Sequence, residues 1–184
     1  MAFAFQFDFP PFMVLVIAIL NDGTVMTISL DRVLPNNEPD HWDLAEIFTY
    51  AVAYGLHLAM STIMLFVVIV NTTFFEDNFG LSPLKSSNDP QLHMIIYLQV
   101  AIISQALIFI TRSQGWFFME RPSLALIGAF CIAQTVASLL ALFGTMEFSN
   151  VQAIPLAWVA VAWIWNLIWF LPMGECHLIL FGRP

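Results

Sequence analysis

The sequence predicts an all-α fold: a polytopic membrane bundle with five transmembrane helices. Three observations carry this. Hydrophobic residues make up 60% of the 184-residue chain and charged ones only 10%, with a mean hydropathy of +0.83, whereas soluble domains are about 45 to 50% apolar. Five apolar stretches, each long enough to cross a hydrocarbon core of roughly 30 Å, alternate with polar punctuation. Most of the thirteen acids fall between those stretches rather than inside them. Backbone groups in lipid must be satisfied within their own segment, so each stretch is expected to be a helix.

The first span is expected over residues 10–30, opened by Pro10 and Pro11, which suit a helix N-terminus. The second, residues 46–70, carries Gly55, His57 and Ser61. The third, residues 92–111, carries Gln99 and Gln105, and the fourth, residues 123–143, follows Pro122. The fifth, residues 154–172, ends at Pro172 and leaves a short tail, Met173 to Pro184. Gly55, Gly128 and the Trp and Ala residues between Ala157 and Trp165 suit close helix packing or interface anchoring. Nothing marks a second domain, and residues 1–184 are expected to form one transmembrane domain.

Five bases against thirteen acids give a net charge of −8, which rules out a nucleic-acid partner. The bilayer is the expected partner. Asp31, Arg32, Arg112, Arg121 and Arg183 share one side of a five-span topology, and Lys85 alone lies on the other. The positive-inside rule then puts the C-terminus in the cytoplasm and the N-terminus outside. Met1 to Asp8 has no basic n-region, so no cleavable signal is expected. An outside start without a signal hints at further helices upstream. The Asn71-Thr72-Thr73 sequon abuts the membrane and is a poor glycan site. Cys131 and Cys176 lack metal-ligand or disulfide spacing and are expected to be free, buried thiols.

Asp22 is the residue around which the functional argument turns. It lies eleven residues beyond Pro11, about 17 Å along a helix. A carboxyl group near mid-bilayer costs about 2.5 to 3.5 kcal/mol on insertion scales, so an intramembrane acid marks an ion or proton path. Leu15, Ala18, Asp22, Val25, Met26 and Ser29 share one helical face. Gly23 is expected to weaken the helix beside the acid, and Asn21, Thr24 and Thr27 to supply hydrogen bonds to the carboxyl. The structural alternative is a permanently protonated packing residue. The other polar residues within spans have blander expectations. His57 is either a relay or a neutral histidine bonded to a neighbouring helix, the second being the commoner case. Gln99 and Gln105 lie about 120° apart on their helix, so each is expected to bond a different neighbour, as are Gln134 with Ser138, and Asn166.

Phe7-Asp8-Phe9-Pro10-Pro11-Phe12-Met13-Val14, Ala18-Ile19-Leu20-Asn21-Asp22-Gly23-Thr24, Met26-Thr27-Ile28-Ser29 and Asp31-Arg32-Val33 resemble the sixth membrane helix of plasma-membrane proton-pumping P-type ATPases of the plant and protist type. Leu44-Ala45-Glu46-Ile47-Phe48 and Leu58-Ala59-Met60 resemble the seventh helix. Tyr97-Leu98-Gln99-Val100, Ser104-Gln105-Ala106-Leu107-Ile108-Phe109 and Thr111-Arg112-Ser113 resemble the eighth, and Glu120-Arg121-Pro122 the loop before the ninth. Two departures stand out: His57 replaces another aromatic, and Leu30 replaces a common lysine.

The resemblance implies the last five of ten membrane helices, with Asp22 as the proton-binding carboxylate and Asn21, Gly23 and Thr24 supporting it. It also implies a plasma-membrane location and a missing N-terminal half, in the same or a separate chain. That half would bring the arginine that discharges the carboxylate, the asparagine that pairs with it, the phosphorylated Asp-Lys-Thr-Gly-Thr aspartate and the nucleotide site. No cofactor is expected in this chain, and ATP and Mg²⁺ belong to the complete pump. Two readings follow: part of an ATP-driven proton translocase, incompetent for hydrolysis or pumping alone, or a free-standing pump-derived scaffold or truncated product without transport activity.

Overall fold

The computed structural model describes residues 10–29, 44–72, 74–75, 80–81, 84, 89–111, 122–144 and 152–181. Within them five helices follow one another: α1 (Pro11–Ile28), α2 (Leu44–Asn71), α3 (Pro90–Thr111), α4 (Leu124–Phe143) and α5 (Leu156–Phe181). All five are long and apolar enough to cross a membrane, and no strand occurs among the described residues. The protein is thus all-α, with the character of an integral membrane bundle. All five bases lie outside the described residues, as do the Glu120–Arg121 pair and the third residue of the sequon.

Local sequence explains the helix ends. Pro11 occupies the first turn of α1, where a missing N–H costs nothing. Ser123 caps α4, its side chain accepting from the Leu126 N–H at 3.2 Å. Gly144 closes α4 by donating its N–H to the Leu140 carbonyl at 2.8 Å. A Cβ at that position would run into the same carbonyl, which accounts for glycine there.

Helix α3 is the hub. Of its spanning window 67% is buried, against 11% for α1, and every residue from Leu92 to Gln99 is buried. It packs extensively against all four other helices, most of all α5. Around it α1 adjoins α4, α4 adjoins α5, and α5 adjoins α2, while α1 and α2 share no comparable interface. The bundle is therefore a hub with four helices around it and one open side, between α1 and α2. Close approach rests on alanine: Ala133, Ala137 and Ala141, at steps of four, form the buried stripe of α4, and Ala101 and Ala162 do the same on α3 and α5.

Three expectations are corrected. Gly55 and Gly128 are not packing contacts, because a Cβ built on either meets nothing within 4 Å. Cys131 is exposed rather than buried. Pro172 does not end the last helix, since α5 continues to Phe181. A proline inside a helix removes one donor, here the one that would serve the Ile168 carbonyl, and crowds that carbonyl with its ring, but membrane helices tolerate this because neighbouring helices and local backbone adjustments re-satisfy the freed group.

Candidate functional site

The α1 helix runs without interruption through Asn21, Asp22, Gly23 and Thr24, so Gly23 does not open the backbone as its sequence context suggested. The α-helical ladder already satisfies the carbonyls around it. Met13, fully buried, and Asp22 are nine residues apart, about two and a half turns, and so occupy opposite faces. Thr24, 1% exposed, lies on the inner side with Met13. Asp22 is exposed and centres the stripe picked out by helical spacing, with Leu15 56%, Val25 49% and Met26 75% exposed, and Ala18 and Ser29 exposed as well. The carboxylate thus points directly away from the helices that α1 packs on.

None of the supporting residues reaches it. Asn21 is half-buried, and its Nδ2 donates to Ser104 Oγ on α3 at 3.3 Å. Thr24 Oγ1 donates to the Leu20 carbonyl at 2.9 Å, and Thr27 Oγ1 to the Thr24 carbonyl at 2.6 Å. These hydroxyls are spent on their own helix, as is common for threonine in apolar surroundings. The expectation that Asn21, Thr24 and Thr27 bond the carboxyl is therefore overturned. Asp22 makes no side-chain hydrogen bond or ion pair with any described residue. The arrangement includes one orphan: Asn21 Oδ1 is buried without a donor. A carboxylate facing outward and an amide oxygen without a donor lie on adjacent residues near the middle of an apolar span.

A second polar centre lies between α2, α3 and α5. Gln99, fully buried, accepts from Thr62 Oγ1 at 2.9 Å and donates from Nε2 to Ser61 Oγ at 3.2 Å. Trp165 Nε1 donates to both the Ser61 carbonyl and its hydroxyl, each at 3.3 Å. Gln105 points elsewhere, its Oε1 accepting from Gln134 Nε2 on α4 at 2.8 Å. The 120° separation read from the sequence therefore sends the two glutamines to different helices. His57 bonds a neighbouring helix too: Nε2 donates to the Trp169 carbonyl at 3.0 Å, the only role a carbonyl permits, and the two rings meet edge-on at 5.1 Å. Asn166 differs from expectation, its Nδ2 bonding the Ala162 carbonyl of its own helix at 2.7 Å.

Sequence reasoning did not single out Thr62 or Trp165 as members of the Gln99 cluster, nor Ser104 as the partner of Asn21. Thr62 and Ser104 look like ordinary small residues of an apolar helix, and only the packing of α3 against α1 and α2 brings them into register. Among the described residues no three His, Cys, Asp or Glu side chains cluster to hold a metal ion. No protein-family model matches the chain.

Proposed function

We propose that this chain is the membrane-domain portion of an ATP-driven, proton-exporting P-type ATPase of the plasma membrane, with Asp22 as its proton-binding carboxylate. One observation carries the reading: a mid-span carboxylate directed away from its own bundle, with no partner in it. Left against lipid, such a group costs about 2.5 to 3.5 kcal/mol. Covered by helices from the missing half of the pump, it becomes a site that binds a proton when dry and releases it when a cation approaches. The bland alternative, Asp22 as a packing residue, is disfavoured because its side chain packs against nothing in the bundle.

Two further observations support an incomplete assembly. The exposed stripe containing Asp22 is apolar apart from Asp22 and Ser29, and α1 is the least buried of the spans. In this reading ATP and Mg²⁺ chemistry lies outside this chain. That chemistry belongs to the half that carries the phosphorylated aspartate. The N-terminus is proposed to lie outside and the C-terminus in the cytoplasm, on the distribution of arginines alone.

The test is affinity purification of the tagged chain from its own membranes, followed by reconstitution into proteoliposomes. We expect a polypeptide bearing an Asp-Lys-Thr-Gly-Thr segment, either continuous with the chain or bound to it, and ATP-dependent proton uptake that Asp22→Asn abolishes without dissociating the complex. A chain purified free of such a polypeptide, with Asp22→Asn changing no transport phenotype, would establish the scaffold reading instead.

A further inference from the structure

The interface between α4 and α5 is the thinnest of the seven helix pairs that pack extensively, and two cavities occupy the space it leaves. One, of about 280 Å³, lies between α3, α4 and α5 and has Phe109, Phe130, Trp163, Asn166 and Phe170 in its wall. The other, of about 350 Å³, follows α4 past Cys131, Gln134 and Ser138. Phe130 and Trp163 border both, so the two form one crevice divided by a pair of rings.

The crevice concentrates unused hydrogen-bonding capacity. Gln134 and Asn166 are only 4% and 3% exposed. Each spends its amide NH₂ on a carbonyl-type oxygen, Gln105 Oε1 or Ala162 O, and keeps its own amide oxygen buried without a donor. Ser138 and Trp163 are half-buried in the wall, and neither the hydroxyl nor the indole N–H has a partner among the described residues. In the hydrocarbon core an unsatisfied polar group costs several kcal/mol. The part of the pattern within an occupant's reach is a donor that needs an acceptor and a serine able to play either part, with the two unsatisfied amide oxygens buried behind them.

We propose that the α4–α5 crevice binds an uncharged, membrane-soluble alcohol or phenol: one hydroxyl on an apolar body. In this proposal a hydroxyl accepts from Trp163 and donates to Ser138, the two half-buried residues of the lining whose polar groups lack partners among the described residues. Gln134 Oε1 and Asn166 Oδ1 lie beneath the wall and make it electronegative, favouring a donor. An ion is excluded by chemistry, since no charged side chain lines either cavity and an unpaired charge in this setting is costly. The aromatic walls fit an apolar body. Because Gln134 lies at the middle of α4 and Trp163 near the middle of the apolar window Leu156–Met173, the occupant is a small molecule dissolved in the hydrocarbon core rather than a lipid whose headgroup is fixed at the surface. The site is independent of Asp22.

The test uses the full chain in phospholipid nanodiscs, photolabelled with an eight-carbon alcohol carrying a diazirine and, separately, with the matching diazirine alkane. We expect saturable labelling of the α4–α5 crevice by the alcohol, displaced by unlabelled octanol, and unsaturable labelling by the alkane. Ser138→Ala combined with Trp163→Phe should reduce the saturable component about tenfold, as expected for loss of roughly 1.4 kcal/mol of hydrogen bonding. Circular dichroism verifies helicity, and Ser138→Ala alone serves if the double variant misfolds. Equal labelling by the two probes, labelling spread evenly to lipid-facing residues such as Leu15 and Leu171, or saturable labelling unchanged in the folded variant would each overturn the proposal.

Discussion

Asn21 and Ser104, 83 residues apart in sequence, meet across α1 and α3, the Asn21 Nδ2 donating to Ser104 Oγ at 3.3 Å. The bond ties the helix that carries Asp22 to the hub, and it leaves Asn21 Oδ1 without a donor. Removing one partner of a buried pair should therefore hurt more than removing the whole polar group. Ser104→Ala is expected to destabilise the bundle by about 1 kcal/mol, and Asn21→Leu to be closer to neutral because it also removes the orphaned oxygen. Steric-trapping measurements of unfolding in detergent micelles check the order. A larger loss for Asn21→Leu would show that the asparagine holds α1 by packing rather than by hydrogen bonding.

Asp22 offers a sharper separation between stability and function. Its side chain points out of the bundle, so Asp22→Leu should leave the five-helix packing intact. On insertion scales the change favours membrane entry of α1 by about 3 kcal/mol. Glycosylation-reporter insertion assays measure that gain directly. Under the proposed function the same substitution should abolish proton flux in the assembled pump. An unstable Asp22→Leu bundle would mean that the carboxyl has a structural role inside its own chain.

Gln99 is the centre of the polar cluster that joins α2 and α5 to the hub. Gln99→Ala is expected to cost about 2 to 3 kcal/mol, combining a cavity with the loss of two hydrogen bonds, although Thr62 keeps its bond to the Leu58 carbonyl and Ser61 its bond from Trp165. Gln99→Leu, which fills the space, should cost about 1 kcal/mol, since hydrogen bonds between membrane helices average about 0.6 kcal/mol. A double-mutant cycle between Gln99→Leu and Ser61→Ala should show coupling. Additive effects would mean that the two side chains act separately.

Tyr97 is fully buried, and its hydroxyl has no partner among the described residues. Tyr97→Phe should therefore be neutral or stabilising by up to about 1 kcal/mol. Thermal unfolding followed by circular dichroism decides it: a clear loss of stability would reveal a partner for the hydroxyl in the assembled protein.

The five helices were legible because apolar length alone reports a membrane span, and the 100° step between residues correctly sent Gln99 and Gln105 to different neighbours. His57, too, bonds an adjacent helix, as its position within an apolar span suggested. What the sequence could not convey was direction. The same helical step that grouped Leu15, Ala18, Asp22 and Val25 on one face says nothing about whether that face turns inward or outward, because in a membrane both faces are apolar. Glycine misled for a related reason. At Gly55 and Gly128 small size suggested contact, whereas the close approaches fall on the alanines of α4, whose small size raises no comparable signal. Pro172 marked a helix end by the rules for water, and a membrane helix carries it through.

The hub arrangement also has a consequence for how the bundle is made. Helix α3 is the third of the five to leave the ribosome, yet it is the one on which both α1 and α2 pack, and those two share no comparable interface. The packing partners of the first two helices are thus made after them: α2 has none before Pro90–Thr111, and α1 packs on that helix and more extensively on α4, which follows it. Synthesis order and packing order run differently, and the acid is inserted before anything in this chain is present to hold its helix in place.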